Sequence, residues 1–365
     1  MTRYLKSQIV SKEDGRSQTS PFFFKIMRKL NLYQKDGWLN VPDIARLNCW
    51  LNVIIGPRQV GKTYGTLKYL FDAGNQFFYM RRTGDELDLV CDDPRLDPFR
   101  TIEGYNAEIV RAGGSYDIRE MDGEETKRSC GIAMSLSRVA KIRGFNGSDF
   151  TDLVFDEFIP ERIVIKRKNE GEAFLNAYTT INGNRELKGR APLRAWLLAN
   201  ANDFESPILS ALELTGAVEK MTRTGQEYMV KDGIFVALPR SERVMEKRKE
   251  TAMMRHLRKS KGGFYQMAAE NKFAYNSLDL VKPKSLKGYS PLLRIGDIYI
   301  YDNGTSAYAC WSPHRGRLKY AATREGIIQA QIEYPELKSL YDLGYLTFCD
   351  ATCLMRYKEL MGIKD

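Results

Sequence analysis

The feature of the sequence that most constrains its fold is a glycine-rich loop at residues 56–63, which reads GPRQVGKT. It matches G-x-x-x-x-G-K-[ST], a pattern whose backbone N–H groups wrap a β-phosphate and whose glycines leave room for that approach. The pattern needs a buried strand before it and a helix after it, and the runs Leu51–Ile55 and Lys62–Phe71 meet both needs. The loop residues predicted to hold a nucleotide are Gly56, Arg58, Gln59, Val60, Gly61, Lys62 and Thr63.

Short apolar runs alternate with helical stretches from residue 41 to about residue 240. Strands separated by helices are typical of a parallel sheet with helices on both faces, so we predict an α/β fold. The predicted strands are Leu51–Ile55, Phe77–Met80, Leu153–Phe155, Ala195–Ala199 and Ile234–Leu238.

Two adjacent acids, Asp156 and Glu157, follow the predicted strand Leu153–Phe155. Open α/β sheets bind ligands at the carboxyl ends of their strands, so we expect both acids near the phosphate loop. Hydrolysis of a bound triphosphate needs groups that hold Mg²⁺ and a base that orients the attacking water. We assign Mg²⁺ to Thr63 and Asp156, and the role of catalytic base to Glu157.

Two further residues complete the predicted catalytic set. Lys62 would bridge the β- and γ-phosphates. Asn200 follows the strand Ala195–Ala199, where its amide could contact the γ-phosphate or the water, although an asparagine that caps a loop gives the same pattern. A base directly after the acid-bearing strand is typical of translocases and helicases rather than kinases or small GTPases. We therefore predict ATP hydrolysis coupled to mechanical work.

The charge balance indicates a polyanionic partner. Lys and Arg number 56 against 46 acids, a net charge of +10, which fits nucleic acid, an anionic membrane face or a solvated basic surface. Six scattered cysteines and two histidines match no zinc spacing, argue against a histidine-based triad and indicate free thiols in a reducing cytoplasm. No apolar run is long enough for a transmembrane helix, and the N-terminus has no signal-peptide core.

The composition changes near Pro239, where a basic, helical-looking stretch begins. A strand-rich pattern follows Lys282, with a turn at Asp302-Asn303-Gly304 because Asn and Gly tolerate positive φ. We divide the chain into an ATPase domain at 1–240, with an N-terminal extension at 1–40, a basic helical linker at 241–282 and a small α+β domain at 283–365. The strands predicted in this last domain, before a mostly helical tail, are Leu292–Ile295, Ile298–Tyr301 and Ala307–Trp311.

Five runs of the sequence carry a resemblance to a known family. They are the phosphate loop, Phe77–Arg82, Val154–Ile159, Asn182–Glu186 and Leu198–Ala201. Together they resemble the DNA-packaging ATPases, or encapsidation proteins, of small tailed phages of the phi-29 type, which are terminase-like motors. The phosphate loop alone is generic, so the specificity comes from the FYMRR and VFDEFI runs and from the order of all five. The resemblance covers residues 50–240 and continues weakly beyond them.

This resemblance implies an additional-strand P-loop ATPase that uses ATP and Mg²⁺. It implies a homopentameric ring at the portal vertex of a prohead, where the motor drives double-stranded DNA inward. The C-terminal domain would have a ribonuclease-H-like fold that has lost its nuclease chemistry. In the phi-29 type a structural RNA ring joins the motor to the prohead, so such an RNA is a further candidate partner. The implied location is the host cytoplasm and, transiently, the portal vertex, without a membrane.

A ring of this kind would place an arginine of a neighbouring subunit at the γ-phosphate. By the resemblance, Arg185 and Arg143 are the trans-acting candidates, and Arg58 is a candidate within the same subunit. A motor that grips any sequence should contact DNA through its phosphates. The residues predicted to line the DNA pore are Lys166, Arg167 and Lys168.

Three alternative functions stay open at this point. One is another ring-forming DNA translocase or helicase-like ATPase, although the sequence shows no further helicase motif. Another is a phage assembly or export ATPase at the membrane, which the missing transmembrane helix disfavours in its usual form. The third is a nucleotide-gated assembly protein without sustained turnover, which the presence of Glu157 disfavours.

Overall fold

The computed structural model describes residues 30–139, 147–160, 169–201, 206–259, 277–316 and 318–363. These residues form two β-sheets with helices packed on them. The strands of the first sheet are β1 Leu51–Ile55, β2 Phe77–Arg81, β3 Ala107–Ala112, β4 Ser115–Asp122, β5 Glu125–Ser135, β6 Asp152–Asp156, β7 Arg194–Ala199, β8 Tyr228–Lys231 and β9 Ile234–Ala237. The helices along this part of the chain are α1 Val41–Ala45, α2 Lys62–Asp72, α3 Gly84–Asp92, α4 Leu136–Val139, α5 Glu170–Asn182, α6 Pro207–Ala211 and α7 Thr215–Thr224, with a 3₁₀ turn at Glu186–Lys188.

The first sheet has nine strands in the order β3-β4-β5-β2-β6-β7-β1-β9-β8. Its six central strands, from β5 to β9, are parallel to one another. The five strands predicted from the sequence are β1, β2, β6, β7 and β9, so the prediction of a parallel α/β sheet is confirmed. One strand, β7, lies between β1, which leads into the phosphate loop, and β6, which carries Asp156.

The central strands are buried on both faces of the sheet, as all five residues of β1 and of β6 are. Successive side chains of a strand point to opposite faces. In β1, Val53 and Ile55 accordingly pack into one apolar core and Ile54 into the other. A strand covered by helices on both sides has no polar face, which explains why continuous apolar runs predicted these strands well.

The strands β3, β4 and β5 form an antiparallel meander that was not predicted from the sequence. Its middle strand alternates between buried and half-buried residues, and the inward side chains Tyr116, Ile118 and Glu120 include a carboxylate. That carboxylate is bound by Lys127 and Arg128 of the neighbouring strand. A strand that buries a paired acid lacks the continuous apolar run on which the prediction relied.

The second sheet has five strands in the order β13-β10-β11-β12-β14. The central three are antiparallel, and the hairpin predicted at Asp302-Asn303-Gly304 joins β11 to β12. The predicted helical tail is confirmed except for the short strand β14. The strands are β10 Ser290–Ile295, β11 Ile298–Asp302, β12 Ala307–Cys310, β13 Leu318–Tyr320 and β14 Leu346–Phe348. The helices are α10 Arg324–Glu333, α11 Glu336–Asp342 and α12 Ala351–Met361, and a 3₁₀ turn at Ser277–Leu280 precedes them.

Two short helices, α8 Glu242–Lys249 and α9 Ala252–Leu257, occupy the described part of the predicted basic linker. This part packs against the first sheet and its helices. Ser241 Oγ donates to the carbonyl oxygen of Gly37 at 2.6 Å, and Met254 is buried in one of the two cores of that sheet. The chain therefore remains in contact with the half built on the nine-stranded sheet for some residues beyond the boundary predicted at residue 240.

All six cysteines lie within the described ranges and are free thiols. In the same ranges, no helix combines the length and the apolar character needed to cross a bilayer.

Candidate functional site

The phosphate loop lies between the end of β1 and the start of α2, at the carboxyl edge of the parallel strands. Gln59 and Gly61 have φ values of +63° and +83°, the left-handed region that glycine enters freely. A Cβ on Gly61 would lie 2.5 Å from a ring carbon of Trp38, and a Cβ on Gly56 would lie 2.7 Å from Cγ of Pro239. Close packing therefore requires glycine at both glycine positions of the motif.

Lys62 begins α2, and its buried ammonium group turns back across the loop. Its Nζ donates to the carbonyl oxygens of Gly56 at 3.0 Å and Pro57 at 2.7 Å, and to Asn200 Oδ1 at 3.1 Å. These three acceptors satisfy the three donors of an ammonium group. Asn200 follows β7, the neighbour of β1, so the predicted lysine and asparagine are brought together by adjacent parallel strands.

The electrostatic environment of Lys62 is shaped mainly by burial. Removal from water lowers the pKa of Lys62 to about 7. The carboxylates of Asp156 and Glu157 oppose this shift, and the guanidinium groups of Arg248 and Arg58 add to it. The lysine therefore sits among charges of both signs, and its protonation is sensitive to any anion that enters the site.

The two residues predicted to hold Mg²⁺ are in direct contact. Thr63 Oγ1 donates to Asp156 Oδ1 at 2.9 Å. Asp156 is the buried last residue of β6, and its other oxygen accepts a hydrogen bond from the Tyr79 hydroxyl of β2 at 3.0 Å. A hydroxyl and a carboxylate oxygen side by side form the kind of hard donor pair that Mg²⁺ prefers.

Glu157, the predicted base, is the first residue beyond β6. Its backbone has a φ of +55°, a strained conformation for a residue with a side chain, and its carboxylate is about half exposed (52%). Arg81 Nη2 donates to Glu157 Oε2 at 2.9 Å, and Arg81 Nη1 donates to Asp156 Oδ2 at 3.3 Å. One arginine thus holds the orientation of both acids.

Arg81 is the site residue that sequence reasoning missed. The FYMRR run served only as a mark of family resemblance, yet Arg81 ends β2, the strand beside β6, and this adjacency was the available signal. The side chain of Arg81 is 11% exposed. Burial opposes its charge, but Tyr79 and the two carboxylates outweigh burial and raise the pKa of Arg81 above its ordinary value.

The phosphate loop is also held from outside by two segments. The backbone N–H of Leu39, in the segment before α1, donates to the carbonyl oxygen of Val60 at 3.1 Å. Arg248 of α8 donates to the carbonyl oxygen of Arg58. The loop is therefore linked directly to the basic segment that connects the two sheets.

These groups surround one cleft of about 420 Å³. This volume lies within the usual range for sites that bind a small ligand. The residues that line it are Trp38, Arg58, Gln59, Gly61, Lys62, Thr63, Tyr64, Asp156, Glu157, Ala199 and Asn200.

The remaining predicted residues lie elsewhere. Arg185 is buried at 5% exposure, and its guanidinium donates to the carbonyl oxygens of Asn182 at 3.1 Å and Gly147 at 2.9 Å. In this conformation Nε and Nη2 of Arg185 donate within their own chain, and a role of Arg185 towards a neighbouring subunit stays a prediction. Arg143 and the predicted DNA-binding residues lie outside the described ranges, the latter being Lys166, Arg167 and Lys168.

Comparison with known proteins agrees with this architecture. The solved structure titled "The bacteriophage Phi-29 viral genome packaging motor assembly" matches with a TM-score of 0.63 and 23% identity, over 89% of this chain and 98% of that one. "The Phi-28 gp11 DNA packaging Motor" matches with a TM-score of 0.56 and 15% identity, over 90% and 99%. At these identities the two matches show a shared fold.

A search of curated proteins found no match. The model of one protein family, described as "Podovirus DNA encapsidation protein (Gp16)", matches residues 33–291. That range covers both segments that hold the phosphate loop, all the described site residues and the start of the second sheet. The chain therefore belongs to the podovirus DNA encapsidation protein family.

Proposed function

We propose that this genome-packaging motor subunit hydrolyses ATP in the cleft at the carboxyl edge of its nine-stranded sheet. The observation that carries the proposal is the contact between Thr63 and Asp156, with Lys62 and Glu157 lining the same cleft. These are the groups that a loop-bound triphosphate needs for charge neutralisation and for activation of water. The position of β7 between β1 and β6 supports an additional-strand ATPase.

The loop and Lys62 would bind the phosphates. Lys62 already gathers three oxygen acceptors at one point, and the γ-phosphate oxygens would compete for this ammonium group. Thr63 and Asp156 would hold Mg²⁺, which, when bound, neutralises charge on the β- and γ-phosphate oxygens. Asn200, on the same ammonium, is positioned to respond to the state of the γ-phosphate.

Glu157 would accept a proton from the attacking water. Its carboxylate lines the cleft and is open to solvent, so a water molecule can reach it. Arg81 positions this carboxylate and couples it to Asp156. A base that is held by a partner on the neighbouring strand can keep a fixed orientation while water is activated.

The finer parts of the proposal concern assembly. We propose that subunits form a ring, expected to be a pentamer, at the portal vertex in the host cytoplasm, with ATP hydrolysis driving double-stranded DNA into the prohead. Arg143 would act on the γ-phosphate of a neighbour, and Lys166, Arg167 and Lys168 would contact DNA. The second sheet would belong to a ribonuclease-H-like domain at 283–365, joined to the ATPase domain at 1–240 by residues 241–282. A structural RNA is a candidate partner at the prohead.

The test is ATP hydrolysis by the full chain, with and without long double-stranded DNA, for wild type and Lys62→Ala. We expect DNA to stimulate the wild type and the variant to lose both basal and stimulated turnover. Turnover that ignores DNA would contradict translocation on DNA and direct the search to a protein or RNA partner. Equal turnover by wild type and variant would contradict the assignment of the site itself.

A further inference from the structure

Two aromatic side chains line the nucleotide cleft alongside its polar groups. Trp38 is 40% exposed, and Tyr64 is partly exposed on the first turn of α2. Their ring centroids are 6.1 Å apart with an interplanar angle of 72°, an edge-to-face contact. An exposed indole is common on protein surfaces, but at the wall of a charged cleft it offers a bound ligand a large apolar face.

The position of Trp38 is fixed although it lies outside any helix or strand. The backbone N–H of Gln34 donates to the Trp38 carbonyl at 2.7 Å, and the N–H of Trp38 donates to Asp36 Oδ1 at 3.1 Å. The next residue, Leu39, is bonded to the phosphate loop at Val60. The backbone that carries the indole is therefore held in place before any ligand binds, which reduces the entropy lost on binding.

The ring also lies directly against the loop backbone. Its contact with Gly61 is so close that a Cβ there would meet a ring carbon at 2.5 Å. Residues 61–64 thus place polar groups and contacts with an aromatic ring within four consecutive positions. Lys62 and Thr63 supply the polar groups for the phosphates and Mg²⁺, while Gly61 and Tyr64 contact the indole.

We propose that Trp38, supported by Tyr64, is the platform on which the nucleoside base of the bound triphosphate stacks. The inference rests on the proposed function, which accounts for binding of the phosphates and names no contact for the base. A cleft of about 420 Å³ has room for more than a triphosphate, and a purine offers a flat π-face to an indole. Stacking of a base on an aromatic side chain is sequence-tolerant and substantial when the ring is already in position.

The experiment compares two ligands that differ only in the presence of a nucleoside. Binding of ATP and of inorganic tripolyphosphate, each with Mg²⁺, is measured by calorimetry on the full chain for wild type, Trp38→Ala and Trp38→Phe. We expect Trp38→Ala to weaken ATP binding about five- to a hundredfold, the range for loss of one stacking ring. Trp38→Phe should lose less, and tripolyphosphate should bind all three proteins equally.

The matched control is Trp311→Ala, which removes an indole of similar exposure (37%) from the second sheet. It should leave the affinity for both ligands unchanged. Equal losses of ATP and tripolyphosphate in Trp38→Ala would show that Trp38 only supports the loop, and an unchanged ATP affinity would show that no base stacks there. Either result overturns the inference.

A fluorescence measurement keeps the inference testable if Trp38→Ala fails to fold. ATP should quench the tryptophan fluorescence of the wild type more than tripolyphosphate does, and Trp38→Phe should remove the difference. Equal quenching by both ligands would contradict the proposal that the base stacks on Trp38. Failure of the wild type to bind either ligand would instead contradict the proposed function, so the two failures are distinguishable.

Discussion

Both sheets carry carboxylates at strand ends, and the nine-stranded sheet brings two of them, Asp156 and Glu157, to one cleft. There, Asp156 and Glu157 follow a parallel strand and face Thr63 and Lys62. In the five-stranded sheet, Asp302 accepts the Gly304 N–H within a turn, and Asp350 caps α12 by accepting the Cys353 N–H at 2.7 Å. Acids in similar sequence positions thus line a cleft in one region and support local structure in the other.

Strand direction explains the difference for Asp302, but not for Asp350, which follows β14, a strand parallel to β12. The carboxyl ends of parallel strands meet at one edge, so residues after β1, β6 and β7 converge although they are distant in sequence. The strands β10, β11 and β12 are antiparallel, so the ends of neighbouring strands lie at opposite edges. An acid at the end of one of these strands has no equivalent partner on the next.

Two arginine clusters sharpen the contrast. Arg81 binds Asp156 and Glu157, and Arg356 of α12 binds Asp297 at 3.1 Å and Glu359 at 2.7 Å. Each arginine binds two carboxylates, but the side chain of Arg81 is 11% exposed and that of Arg356 is 33% exposed. A solvated ion pair contributes little to stability, whereas the buried pair of Arg81 and Asp156 holds the guanidinium in place beside the half-exposed Glu157.

The largest expected effect is that of Glu157→Gln. Removal of the general base should lower the rate of ATP hydrolysis by about a hundredfold or more, because proton transfer contributes that much. ATP affinity should change little, since the amide still accepts from Arg81. Single-turnover hydrolysis and calorimetric binding measure the two quantities. Asp302→Asn is the control in the second sheet, and a similar rate loss there would remove the distinction between the regions.

The next largest effect is expected when an aspartate at the end of a strand is replaced by alanine, and the same substitution can be compared in the two sheets. Asp156→Ala should raise the Mg²⁺ concentration needed for half-maximal activity by about tenfold or more, because a metal-orienting group is lost. Asp350→Ala should leave the Mg²⁺ requirement unchanged and cost about 1 kcal/mol through loss of the helix cap. Magnesium titration of activity and thermal unfolding separate the outcomes. An altered Mg²⁺ requirement in Asp350→Ala would contradict the structural role of that acid.

The sequence predicted the site to the extent that the site follows from buried parallel strands. Continuous apolar runs identified β1, β6 and β7, and Asp156 at the end of β6 and Asn200 after β7 both line the cleft. The phosphate loop could be predicted from its glycines and from the apolar strand before it. For such elements local sequence and global fold give the same answer.

The rest depends on which strands become neighbours. Arg81 follows an apolar strand like the others, but its role appears only when β2 pairs with β6. Arg185 stands in a polar run that suggested exposure, yet tertiary contacts bury it against two carbonyl oxygens. The contact of Trp38 with the phosphate loop joins segments separated by a helix and a strand, and no local pattern encodes it.

A smaller effect is expected for the arginine that sequence reasoning missed. Arg81→Ala should lower the hydrolysis rate about tenfold, because Glu157 loses its orienting partner while the base itself remains. Arg81→Lys keeps a charge and should recover part of the rate. The counterpart Arg356→Ala should leave hydrolysis unchanged, as expected for a solvated pair. Steady-state kinetics of the three variants measure these rates. A loss of hydrolysis in Arg356→Ala equal to that in Arg81→Ala would show that the two arginine clusters do not differ in their effect on the reaction.

The smallest effect tests whether the lysine beside the acids is coupled to the bound triphosphate. The pKa of Lys62 is lowered to about 7, and an anion at its ammonium group would raise that pKa. Above pH 7 the complex then holds more protons than the free protein, so ATP affinity falls as the pH rises, by at most about tenfold between pH 7 and pH 8. Calorimetry in buffers of different ionisation enthalpy should detect the matching proton uptake. Lys62→Arg, whose guanidinium stays charged, should bind with a flatter pH dependence. If the ATP affinities of wild type and Lys62→Arg depend on pH in the same way, the titrating group is not Lys62. The balance of charges inferred around Lys62, in the cleft of the nine-stranded sheet, is then wrong.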